Sequence, residues 1–189
     1  MYSFMLSILE IRDIILMTLA TGYIFMDMFK PPSSSDDPVE AYRQQSDFKK
    51  RFLYSVSLVA PAIILHEFGH KFVAMSMGLD ATFHAAYTFL AIGVVLKMVN
   101  FPILIVVPAY IRTVGAAPEQ TILIAAAGPL VNLVLYFLSW YMRKQSTQPQ
   151  KIMFWRYSQY INGFLAVFNF LPIPGFDGYL VFSRLLTIL

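Results

Sequence analysis

The sequence predicts an α-helical integral membrane protein: a polytopic bundle of about four membrane segments, with a small β-hairpin or re-entrant element between the second and third. Three observations lead there. The 189-residue chain is 58% hydrophobic, with a mean hydropathy of +0.61. Only 13% of its residues are charged, about half the ~25% usual in soluble domains. Its long apolar runs are separated by short polar stretches, the pattern of a chain that crosses a bilayer repeatedly. The length implies one domain, with residues 1–51 forming a first span and polar loop and residues 52–189 a core.

The first span is Phe4 to Phe29. Glu10, Arg12 and Asp13 interrupt its start, and a basic leader is lacking, so it reads as a retained segment rather than a cleaved signal. Those charges belong at the interface or against other helices. Lys30 to Arg51 holds KPPSSSDDP and KKR and reads as a polar loop. Phe52 to Met77 is the second span, ended by Gly78. Leu79 to Glu119 contains two apolar runs, Ala85 to Leu96 and Phe101 to Ile111, separated by KMVN. Each is short for a helical span, and both are rich in β-branched and aromatic residues, which favours the hairpin or re-entrant element. The alternative is a single tilted helix with Lys97 in its middle, which is costly in lipid. Gln120 to Met142 is the third span, Arg143 to Lys151 a short loop, and Phe154 to Leu189 a fourth segment split by LPIPGFDG.

A net charge of +3 with loops so short gives no case for nucleic acid. The basic residues set topology or touch anionic headgroups. The chain has no cysteine, so a disulfide framework is excluded and a metal site must draw on His, Asp or Glu.

HEFGH, His66 to His70, is the sharpest signal. Residues i and i+4 share a helix face, so His66 and His70 can grip one metal ion with Glu67 beside it as general base. The alternative is a polar triad hydrogen-bonded inside the bundle. Ionisable groups within a span are expensive, so function is the default reading. A catalytic zinc site takes three protein ligands. Asp80 falls just past the helix end, over about 10 Å further along the axis, His84 falls in an expected strand, and Glu119 falls at the start of the third span. Asp177 differs, because it sits within an apolar segment at a break made by Pro172, Pro174, Gly175 and Gly178. Irregular backbone at membrane depth is tolerated where it is buried in protein or lines a water-filled cavity, so the break can project the carboxylate towards the histidines. Asp177 can also cap a terminal helix running to Leu189.

HEFGH on one span, AAAGPLVN on a second and NFLPIPGFDG on a third together resemble the site-2 protease family of intramembrane zinc metalloproteases, in a minimal form without PDZ or nucleotide-sensing modules. The resemblance covers about Phe52 to Leu189. It implies one Zn2+ per chain held by His66, His70 and Asp177, with Glu67 as the catalytic base. It also points to Asn132 and Asn169. For Asn132, donation to the substrate backbone or oxyanion stands beside plain interhelical hydrogen bonding.

The implied partner is the transmembrane segment of a membrane-protein substrate, cleaved in or near the bilayer. An exposed strand within Ala81 to Phe89 is expected to receive the unwound substrate by β-augmentation. A non-catalytic protein that binds transmembrane helices is the alternative, and a metal transporter would need ionisable groups spread along a path. Orientation is in conflict. The two polar loops hold eight of the fourteen Lys and Arg (Lys30, Arg43, Lys49, Lys50, Arg51, Arg143, Lys144, Lys151), which the positive-inside rule places in the cytoplasm. The family pattern instead puts the metal end, opposite those loops, nearer the cytoplasmic side of the cell membrane.

Overall fold

The computed structural model describes residues 6–33, 37–101 and 107–188. The beginning of the expected first span, residue 189 and residues 102–106 of the second short apolar run lie outside them. The chain is mostly helical with one small sheet: α1 (Ile8–Phe25), α2 (Pro38–Ser46), α3 (Phe48–Ser76), β1 (Ala81–Ala85), α4 (Tyr87–Met98), β2 (Ala109–Thr113), α5 (Pro118–Gln145), α6 (Pro149–Asn169) and α7 (Asp177–Ile188). Among the described residues, α3 and α5 are the two helices long and apolar enough to cross a membrane.

Local chemistry sets the ends. Ser7 and Glu10 form a reciprocal capping box at the start of α1. Asp47 accepts from the Lys50 N–H at 3.0 Å, so α3 begins four residues before the expected Phe52. The polar loop also contains a short helix, α2, capped by Asp37. Gly78 closes α3 at φ +77°, a conformation that L side chains resist.

α3 and α5 run antiparallel in tight register, with His70 against Ile124 and Ala62 against Asn132. Gly128 lies between, where a Cβ would overlap both histidine rings. α5 also packs on α6 and α7, and α1 packs on α3, β1 and α4. The main apolar core joins Met17, Leu58, Ile63, Phe83 and Leu90.

The region between the second and third expected spans is a two-stranded antiparallel sheet with a helix inside the connection. The run from Ala85 to Leu96 is thus largely helix rather than hairpin. α4 has 12 residues and a length of about 18 Å, too short to cross. Lys97 forms an ion pair with Asp27, as does Arg51, which ties α4 and α3 to the end of α1.

β1 is held on both sides. Ala81, Phe83 and Ala85 turn their side chains inward, in register with Thr113, Ile111 and Ala109. On the edge away from β2, Glu10 Oε1 accepts from the Phe83 N–H at 2.8 Å and Asp13 Oδ2 accepts from the Ala85 N–H at 3.1 Å. In an antiparallel pair the outward N–H groups of one strand oppose outward groups of its partner. The N–H groups of Ala109, Ile111 and Thr113 therefore point away from β1. Among the described residues, then, the outer edge of β1 is occupied by α1, against its expected role as an exposed docking strand, and the edge without a backbone partner is that of β2.

Candidate active site

α3 places His66, Glu67 and His70 on its buried side, each about 6% exposed. The two imidazoles meet edge to face, with centroids 4.7 Å apart. Each ring is fixed from behind through Nδ1. His66 Nδ1 lies 2.6 Å from Asn132 Oδ1, and His70 Nδ1 lies 2.6 Å from the Ile124 carbonyl. Both partners are acceptors, so each ring, when neutral, donates from Nδ1 and turns the lone pair of Nε2 towards the site. Pro129 within α5 lacks the N–H that would bond the Ala125 carbonyl, which loosens the helix ladder next to Ile124.

Asp177 arrives from the other side. α6 stops at Asn169, Pro172 and Pro174 interrupt the chain, and Gly175 turns at φ +99°. Gly178 packs so closely on the backbone of Phe170 and Leu171 that a Cβ would overlap it. Helix α7 then begins at Asp177. Its Oδ2 lies 3.1 Å from His66 Nε2 and 3.3 Å from His70 Nε2, and the two Nε2 atoms are 3.1 Å apart. With both rings neutral and their protons on Nδ1, these three atoms face one another as donors to a cation. Asp177 Oδ2 is buried without a hydrogen-bond partner.

Three such buried, adjacent atoms are stable only when a cation, a proton or a metal ion, is shared among them. Zinc ligands at about 2.0–2.2 Å in tetrahedral geometry stand roughly 3.3 Å apart, so the donor set fits. Among the described residues these three form the one group able to hold a metal ion. Asp80 and Glu119 are exposed. His84 bonds Thr82 at 3.1 Å and stacks on Tyr110. None of the three joins the site.

The triad opens into a cavity of about 900 Å³. Glu67 lines it beside the histidines, β2 forms one wall, and Phe168, Asn169 and Phe176 form another. Asn132 stands behind the site rather than in it. It is fully buried, and its amide donates to the Ala62 carbonyl at 3.1 Å and to Asn162 Oδ1 at 2.9 Å. With both donations taken, it has none for a substrate oxyanion, and the geometry is that of interhelical bonding and support of His66. Sequence reading passed over Asn162. Its signal was the polar pair Ser158 and Asn162, one turn apart in α6.

A protein of Methanocaldococcus jannaschii with the name "putative zinc metalloprotease" is 37% identical over 131 residues, covering 67% of this chain and 68% of that protein. This chain belongs to the site-2 protease family. A second relative of this site-2 protease homologue, the "putative zinc metalloprotease Rip2" of Mycolicibacterium smegmatis, is 30% identical over 134 residues, 62% of this chain and 51% of its own length. No family model and no solved structure matches the chain.

Proposed function

We propose that the protein is an intramembrane zinc metalloprotease that hydrolyses a peptide bond in or near a transmembrane segment of a membrane-anchored substrate. The observation that carries this reading is the convergence of His66 Nε2, His70 Nε2 and the partnerless Asp177 Oδ2 at a cavity shared with Glu67. These three atoms would hold one zinc ion, which when bound supplies a Lewis acid for the scissile carbonyl and makes water a nucleophile near neutral pH.

The chain's own residues account for the rest. Glu67 takes the proton of the attacking water on a carboxylate oxygen as the C–O bond forms. It returns that proton to the amide nitrogen as the C–N bond breaks. The substrate lies extended along the open edge of β2, its backbone paired with residues 109, 111 and 113. The Asn169 amide, at the lining of the same cavity, would bond the same backbone. α1, α3, α5 and the α6–α7 pair make four membrane segments. His66 and His70 lie past the middle of α3, so the metal end faces away from the basic loops and, on the family pattern, towards the cytoplasm of a multi-pass cell-membrane protein. Cysteines at Ser34 and Ser146 would then be labelled from outside, and labelling from inside would reverse the orientation.

The direct test is cleavage of a model transmembrane substrate by wild type and Glu67→Gln. Loss of about 10²- to 10⁴-fold in rate with zinc retained is expected. A variant that binds substrate helices as wild type does, from a wild type that never cleaves them, would favour the non-catalytic alternative.

A further inference from the structure

Behind His66 a chain of polar side chains runs through the apolar interior to α6. Asn162, 2% exposed, accepts from Asn132 Nδ2 at 2.9 Å. Its own amide donates to the Ser158 carbonyl at 2.8 Å and approaches Ser158 Oγ at 3.4 Å, and Ser158 Oγ lies 2.8 Å from Ser139 Oγ. None of these groups faces the metal-site cavity, and the proposed hydrolysis uses none of them directly. An extended network of this kind, buried among apolar side chains, must be well satisfied to be stable.

We propose that Asn162 is a positioning residue for the metal site, acting through the Asn132 amide on the His66 ring. The proposal rests on the zinc-site reading above. The Asn132 side chain has two orientations of nearly equal shape. In the one observed, its oxygen faces His66 Nδ1 and its NH2 satisfies two acceptors, the Ala62 carbonyl and Asn162 Oδ1. Turned over, it would present oxygen to two oxygens and NH2 to His66 Nδ1. The imidazole proton would then sit on Nε2, the atom that faces Asp177, and the lone pair that a metal needs would be gone. Asn162 supplies one of the two acceptors that exclude this turn. α6 therefore sets the tautomer of a ligand on α3, while the loop after α6 leads into Asp177 at the start of α7. One helix places the third donor and steadies the first.

The test is zinc affinity, measured by competition with a chromophoric chelator on purified full-length protein in detergent. Asn162→Leu and Asn162→Ala both remove the acceptor, the second without apolar bulk. Each should weaken zinc binding by about 10- to 100-fold, the usual cost of losing support behind a metal ligand. Asn162→Asp keeps an acceptor oxygen and should stay near wild type. In Asn132→Asp combined with Asn162→Leu, the carboxylate offers His66 an oxygen whichever way it turns, so affinity should recover. Wild-type affinity in both the Leu and Ala variants would overturn the proposal. So would a double variant as weak as Asn162→Leu, because the loss would then be one of packing. A wild type that binds no zinc would instead overturn the metal-site reading itself.

Discussion

Two buried acidic sites stand on either side of α3. On the α1 side, Glu10 and Asp13 are 4% and 3% exposed and fully engaged. Glu10 pairs with Lys71, caps its own helix and accepts from Phe83. Asp13 pairs with Arg12 and accepts from Ala85 and Tyr87. On the α7 side, Asp177 Oδ2 faces two imidazole lone pairs and has no hydrogen-bond partner. Burial of a carboxylate is costly without compensation. At the first site the protein supplies every partner from its own groups, whereas at the second it sets the carboxylate oxygen against two imidazole nitrogens alone. The first pattern builds structure, and the second leaves a place for a cation.

The comparison can be strained from both sides. The largest expected effect is catalytic: Glu67→Gln should cut cleavage by about 10²- to 10⁴-fold without disturbing zinc content, since Glu67 is no member of the donor set. Next is the structural site. Glu10→Ala leaves the Lys71 ammonium and the Phe83 N–H without their acceptor and should destabilise by about 3–5 kcal/mol, read as a lower unfolding midpoint in detergent. Glu10→Gln with Lys71→Met keeps an acceptor and removes the cation, and should recover most of that loss. Unchanged stability in Glu10→Ala would mean that the pair does not hold β1.

The smallest effect concerns the sheet edges. Thr113→Pro removes an outward N–H of β2 without breaking the β1–β2 ladder. It should slow cleavage by about 2- to 10-fold, the worth of one backbone hydrogen bond, with zinc unchanged. Phe83→Pro should instead reduce stability, because its N–H is taken by Glu10. If the two variants behaved alike, the assignment of the open edge to β2 would fail.

The site's parts were legible where the signal was local. HEFGH fixes a helix face by spacing alone, and the prolines and glycines around Asp177 announce a break whatever the tertiary fold. The register of α3 against α5 was not legible, since it depends on Gly128 meeting two rings more than fifty residues away. The acids of α1 read as charges at the interface or against other helices, with no partner named, because their partners, Lys71, Phe83 and Ala85, lie 61 to 73 residues on. The helix inside the β1–β2 connection was hidden for another reason: a 12-residue apolar stretch has no period that separates a short helix from a strand. Asn132 was found through its motif, but its role follows from which atoms its amide faces, a matter of packing alone.

The most direct measurement is zinc content in wild type and Asp177→Ala, purified without added metal and checked for intact folding. One zinc per wild-type chain, with loss of that zinc in Asp177→Ala, is the result expected if the partnerless oxygen is the third ligand. Full zinc occupancy in Asp177→Ala would contradict it.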